Sequence, residues 1–253
     1  MLLYCSCNNN ATSLAKKINS NQKSVESLTD KKIFNSINTI PLPKDYLRVK
    51  TDSNSFAEWL RDITLKENKT VYLYDGRKKN NQQAQFAVLE ISVSNKDLQQ
   101  CADAVMRLRA EYLFDQKKFN EINFTDNEQT VYSFNLPYTK INFTKYLERV
   151  FGMCGSASLS KQLKPVVDFN TIQPGDVLIR GGFPGHAVII IDVAKNAAGK
   201  KIFMLAQSYM PAQDIHILVN PVNEAISPWY EIDEKSKIVT PEYLFYKSEL
   251  KRW

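Results

Sequence analysis

A thiol, an imidazole and an amide are the residues of this chain best suited to chemistry: Cys101, His186 and Gln207. Cys101 falls in the first turn of an apolar-periodic segment, where free N–H groups and the positive end of the helix dipole stabilise a thiolate. His186 stands where Arg180-Gly181-Gly182-Phe183-Pro184-Gly185 enters a β-branched run, so rigid backbone would hold its ring with one edge toward a cleft. A thiolate beside an imidazolium is an activated nucleophile for acyl transfer. Gln207 ends the next apolar run and would orient the imidazole and fix its tautomer. That pairing supposes a hairpin turn centred between Asn196 and Ala197. A slip of one residue brings Ser208 instead, or turns the side chain to the other face.

Each of these residues has a plainer alternative. Cys101 lies on the stripe Leu98, Cys101, Val105, Leu108 and Tyr112, as a buried core cysteine would. His186 fits a satisfied histidine at a sheet margin, and the Gln207 amide fits a group that only serves backbone at a strand end. Cys154, in Met153-Cys154-Gly155-Ser156, is the rival nucleophile, although it follows a helix rather than opening one. A disulfide between Cys101 and Cys154 would silence the site in an oxidising compartment. His216 alternates with Ile215 and Ile217 and reads as a structural or surface residue, while Asp103 and Arg107, at i and i+4, read as an ion pair.

The elements that must carry these groups follow from periodicity. Phe56, Trp59, Leu60 and Ile63 predict a short helix; a second is expected over 97–114 with its start signal at Ser94, and a third over 142–152. Val71–Tyr74 and Gln85–Val93 read as the two strands of a hairpin with a long polar loop. Seven of the eight glycines lie between 152 and 199, which marks a region of tight turns. Within it, Pro174-Gly175-Asp176 feeds a strand at 177–179, followed by strands over 186–193 and 202–207. The last two are nearly unbroken apolar runs and predict a sheet covered on both faces. The fold class is therefore α+β, an antiparallel β-sheet packed against helices.

Composition narrows the field. The chain has 253 residues, 43% hydrophobic and 24% charged, enough for one packed domain over 36–253. It holds no run of 18 apolar residues, so no complete helical membrane span is expected. The balance of 33 Lys+Arg against 27 Asp+Glu is a weak excess spread along the chain, with no dense basic tract, and nucleic-acid binding is not expected. Neither C-x-x-C nor H-x-x-x-H occurs, so no metal site and no cofactor is expected.

The order of these elements resembles the NlpC-type papain-like cysteine peptidases of bacterial cell walls: a helix-initial Cys, a Pro-Gly-Asp strand, Gly185-His186-Ala187-Val188-Ile189 on the next strand, and a polar residue on the one after. The resemblance implies a papain-like core with Cys101 as nucleophile, His186 as general base and Gln207 as orienting residue, acting on amide bonds of a peptidoglycan-type peptide. The chain departs from that pattern at Gln100-Cys101-Ala102, where Asp-Cys-Ser is usual, and in the third residue, where His is commoner. Cys101–Tyr112, Gly185–Ile189 and Tyr209-Met210-Pro211-Ala212-Gln213 resemble more specifically a bacterial family catalogued as a domain of unknown function, number 4846, which carries no established activity. The stretch 209–216 is expected to form the rim of the site, with Tyr209, Gln213, Asp214 and Gly185 as substrate contacts.

Met1-Leu2-Leu3-Tyr4-Cys5-Ser6-Cys7 resembles the cleavage end of a lipoprotein signal without its positive n-region and most of its h-region. Residues 1–35 are accordingly expected to be a leader and polar tether, with an acylated Cys7 anchoring the protein to the membrane of the bacterial cell envelope. The alternative to a hydrolase is a catalytically silent envelope lipoprotein that binds a ligand or partner in the same cleft.

Overall fold

A computed structural model describes residues 34–232 and 236–253. Cys5 and Cys7, and with them the expected leader and anchor, lie outside the described residues. Four α-helices are described, α1 (Phe56–Asp62), α2 (Cys101–Asp115), α3 (Lys140–Met153) and α4 (Ser156–Gln162). The strands are β1 (Tyr46–Arg48), β2 (Gln85–Val88), β3 (Asn123–Thr125), β4 (Val131–Ser133), β5 (Lys164–Pro165), β6 (Val177–Arg180), β7 (His186–Asn196), β8 (Lys201–Gln207), β9 (His216–Leu218), β10 (Tyr230–Glu231), β11 (Lys237–Val239), β12 (Leu244–Tyr246) and β13 (Leu250–Arg252).

The central sheet runs in the order β2-β9-β8-β7-β6-β13-β5, with β1 added to β7 and β10 to β8, and all its pairings are antiparallel. The class is thus mixed α/β with a large antiparallel sheet. Both faces are buried. Ala187, Ile189 and Ile191 of β7 join the cluster that includes α1, α2 and α3, whereas Val188, Ile190 and Val193 join a second cluster with Phe169, Tyr230, Phe245 and Leu250. The apolar run of β7 is continuous because alternate side chains enter two different cores. Among the described residues no helix is long and apolar enough to cross a membrane.

Three expectations need correction. Val71–Tyr74 forms isolated bridges, Tyr72 to Lys78 and Leu73 to Gln213, and β2 pairs with β9, so the expected hairpin does not form. α2 begins at Cys101 rather than near Asp97, since Ser94 adopts φ +70° and the chain turns into the helix only at Gln100. The β7–β8 turn is centred on Ala198 rather than between Asn196 and Ala197, and a bulge between Ile190 and Asp192 recovers only one residue of that offset, so Ile189 faces Ala206 and Gln207 pairs with His216 of β9. His186 is therefore not directly opposite Gln207. Periodicity marks strands well but not the centre of the turn between them, which here closes over Asn196–Lys200.

The Pro174-Gly175-Asp176 turn belongs to the frame. Gly175 has φ +93°, and a Cβ there would stand 2.8 Å from the Phe56 ring. The Asp176 carboxylate accepts two hydrogen bonds from Arg252, at 2.6 and 2.7 Å, and one from the Gln173 amide. At the far end of β7, Asp192 is fully buried and accepts from Arg48 at 2.6 Å, Arg61 at 2.7 Å and the Val193 amide at 2.8 Å. Removing that carboxylate leaves two guanidinium groups without their counter-charge, held only by backbone carbonyls. Asp192→Ala is expected to lower the unfolding free energy by about 3–5 kcal/mol, read as an earlier urea midpoint with an unchanged slope.

Candidate functional site

Cys101 is the first residue of α2. Gln100 before it is extended, and its amide donates to the Asp103 carboxylate at 2.9 Å, an N3 residue reaching back to close the helix start. The thiol is buried, 7% exposed, within the cluster on the helix side of the sheet. The amide of Ala187 is directed at the sulfur, so the nucleophile candidate lies against the start of β7. Burial nonetheless pushes the thiol pKa up, more than the amides of Ala187, Ala102 and Cys101 pull it down.

His186 opens β7, 2% exposed. Its Nε2 lies 2.9 Å from Gln207 Oε1. Aromatic rings enclose it: Tyr209 at 4.7 Å, Tyr243 at 4.9 Å and Phe245, nearly parallel, at 5.8 Å between centroids. Burial lowers its pKa to about 4, so at neutral pH the ring is uncharged. The orienting contact therefore forms, although β7 and β8 run in a different register from the one expected: Gln207 reaches the ring on the diagonal.

Thiol and imidazole line one cavity of about 680 Å³, together with Asp103, Phe151, Cys154, Gly185, Tyr209, Met210 and Tyr243. They share it without a hydrogen bond between them: the described bond of the ring is to Gln207, on the side of the second core. The free pair is thus a neutral thiol and a neutral imidazole. Cys154 follows α3 at its C-terminal end, and burial raises its pKa to about 11; both thiols are free, so the two are not joined in a disulfide.

The remaining expected residues divide. Tyr209 and Gly185 line the thiol cavity. A Cβ on Gly185 would run into Ser156 Oγ and the Gly182 carbonyl, with the Arg180 carbonyl at 2.9 Å, so only glycine lets this loop close over α4. Gln213 lines a neighbouring cavity of about 370 Å³ with Lys79, Tyr209, Met210 and Glu242. Asp214 lines neither. Its carboxylate accepts from Lys66 and the Tyr72 amide, both at 3.0 Å, which ties the irregular 66–74 segment to the sheet. His216 is fully buried; its Nδ1 lies 2.9 Å from the Asp214 carbonyl, and burial lowers its pKa to about 3.

The expected Asp103–Arg107 ion pair does not form. Arg107 turns to Glu111 at 2.9 Å, to Gln99 and to the Ser92 carbonyl, while Asp103 stays in the cavity wall with its pKa raised well above the carboxylate range by burial. Sequence reading also missed Glu242 and Lys79. Gln207 Nε2 donates to Glu242 Oε2 at 2.9 Å, and Glu242 in turn pairs with the buried Lys79 at 2.6 Å. The aromatic run Tyr243-Leu244-Phe245-Tyr246 was a signal for this wall, because two of its rings contact His186.

Together these features define a mixed α/β domain with a thiol, an imidazole and a buried carboxyl around one cavity. The chain belongs to the family described as Domain of unknown function (4846), whose model matches residues 37–140 and 125–252. Comparison with curated proteins and with solved structures found no match. Among the described residues no group of three or more His, Cys, Asp or Glu side chains is placed to hold a metal ion.

The histidine gives the site a pH signature. With a folded pKa of about 4 against 6.5, the unfolded chain binds the proton more readily, so this contribution is complete above pH 6.5 and is lost as pH falls toward 4. Asp103 acts in the opposite sense, so a difference measurement isolates the ring. Native protein is expected to lose on the order of 3 kcal/mol more than His186→Phe between pH 7 and pH 4, by urea denaturation at each pH. Equal losses would mean that the ring is hydrated in the folded state.

Proposed function

We propose that this protein is a thiol hydrolase acting on amide bonds, with Cys101 as nucleophile, His186 as general base and Gln207 as the residue that orients the ring. The supporting observation is that Cys101 and His186 line the same cavity while the Gln207 carbonyl occupies His186 Nε2. That contact leaves Nδ1 as the basic nitrogen. In the reaction, Nδ1 takes the thiol proton as Sγ attacks the carbonyl carbon, and first-turn amides of α2 face the oxyanion that develops. The proton passes to the departing amine as the C–N bond breaks. Water, deprotonated by the same nitrogen, then cleaves the thioester to a carboxylic acid and the free thiol.

A papain-like core of the NlpC type is the finer fold reading that goes with this chemistry, and a peptidoglycan-type peptide is the substrate we propose. The cavity wall suits it: Phe151, Pro184, Met210 and Tyr243 offer apolar surface to side chains, and Tyr209 a hydroxyl to the peptide. We place the protein at the bacterial cell envelope, anchored through lipid on Cys7. Cys7→Ser is then expected to abolish metabolic incorporation of a labelled fatty acid.

A second reading, a binding protein without turnover, is favoured by one observation: burial raises the Cys101 pKa and lowers that of His186, which opposes a resident thiolate–imidazolium pair. Mass spectrometry after incubation with soluble muropeptides and with a peptidyl vinyl sulfone separates the two. The hydrolase should cleave the former and carry the latter on Cys101. Cys101→Ala and His186→Ala should each lose at least about 100-fold in rate, and Cys154→Ala should keep it. Absence of cleavage with native affinity retained in Cys101→Ala would establish the binding role instead.

A further inference from the structure

An amide makes an ambiguous orienting residue. If Gln207 presented its NH2 group to His186, the ring would accept at Nε2 and carry its proton on Nδ1, and the nitrogen left over would be no base. If it presents its carbonyl, Nε2 carries the proton and Nδ1 keeps its lone pair. Nothing in the amide itself chooses between these, because the two ends have nearly the same shape.

The choice is made on the far side of the amide. Glu242 Oε2 lies 2.9 Å from Gln207 Nε2, and an ionised carboxylate only accepts hydrogen bonds, so the NH2 group must face it. His216 Nε2 lies 3.5 Å from the same nitrogen; with Nδ1 of that ring donating to the Asp214 carbonyl at 2.9 Å, it too presents a lone pair. Rotating the amide by half a turn would set its oxygen against both acceptors. Glu242 is itself fixed by Lys79 at 2.6 Å and Asn81 at 3.2 Å. Lys79 is a buried ammonium, which costs desolvation unless a carboxylate stays beside it.

We infer that Glu242, clamped by Lys79, is a positioning residue: it locks the Gln207 amide and thereby holds His186 in its Nε2–H tautomer. Its catalytic consequence rests on the hydrolase reading, but the tautomer does not. The chain Lys79–Glu242–Gln207–His186 joins the loop after residue 74, the segment before β12, β8 and β7. A buried charge pair about two side chains away from the ring thus decides which ring nitrogen carries the proton.

The test is imidazole nitrogen NMR at pH 7 on protein labelled with 15N-histidine; the chain has two histidines, and His186→Phe assigns the signals. Native protein should show His186 with a protonated Nε2 and an unprotonated Nδ1. Glu242→Gln removes the acceptor-only constraint at nearly constant shape and should shift the nitrogen resonances toward a mixture of tautomers, whereas Glu242→Asp should keep the native pattern. Lys79→Met, which loosens the clamp, should move the signals in the same direction as Glu242→Gln. Should Glu242→Gln fail to fold, the Lys79→Met spectrum decides. An Nδ1–H tautomer in native protein, or unchanged signals in the folded variants, would overturn the assignment. Where turnover is measurable, Glu242→Gln should reduce kcat about tenfold or more with little change in KM, and Glu242→Asp should restore most of it. Native protein without turnover but with the expected tautomer switch would remove the hydrolase reading and leave this inference standing.

Discussion

A strand buried on both faces cannot leave a polar side chain without a partner, and β7 carries one near each end. Its middle residues pass alternately into two cores, and the price of that continuity is paid at His186 and Asp192. Asp192 is met by two arginines from the first sixty-one residues, so the amino-terminal segment and α1 are pinned to the sheet by a charge that has no other place to go. His186 is met by Gln207, and behind Gln207 by Glu242 and Lys79. The two ends use the same logic with different chemistry: ion pairing at one, a neutral amide relay at the other.

The relay explains how an imidazole can be both buried and defined. Desolvation keeps the ring neutral at physiological pH. A neutral ring has two tautomers, and a carboxylate linked through an amide selects one without placing its charge on the ring. Direct contact with Glu242 would favour the imidazolium instead and counter the desolvation. The aromatic enclosure by Tyr209, Tyr243 and Phe245 narrows the ring's freedom further, so orientation comes from packing and tautomer from hydrogen bonding.

Around the cavity the acid–base groups are set against early ionisation. Cys101, Cys154 and Asp103 all have raised pKa values because burial disfavours their charged forms. Asp103 closes the start of α2 and stays in the cavity wall, while Arg107, one turn on, is occupied by Glu111. On the proposed hydrolase reading, an apolar cavity with neutral groups would admit a neutral amide without the cost of stripping water from a standing ion pair. Charge would then develop only as the thiol proton moves.

The sequence by itself determined the strands β6, β7 and β8 and the helices α1, α2 and α3 to within a few residues, because these rest on periodicity and on turn residues that act locally. Tertiary structure decided the rest. The β7–β8 turn closes around Ala198 rather than between Asn196 and Ala197, the bulge between Ile190 and Asp192 offsets only part of that shift, and the Gln207 contact forms because diagonal neighbours on one face also touch. Asp214 read as a rim residue but is drawn to Lys66 and a backbone amide. Asp103 and Arg107 had helical spacing for an ion pair, yet Asp103 is taken by the Gln100 amide at the helix start and Arg107 by Glu111, the next residue along the same stripe. Glu242 and Lys79 were illegible for a simpler reason. Hydrogen bonds between residues 35 and 163 positions apart leave no periodic trace, and only the folded sheet, with the separate β11–β12 hairpin packed against one face, brings those groups within reach of the ring.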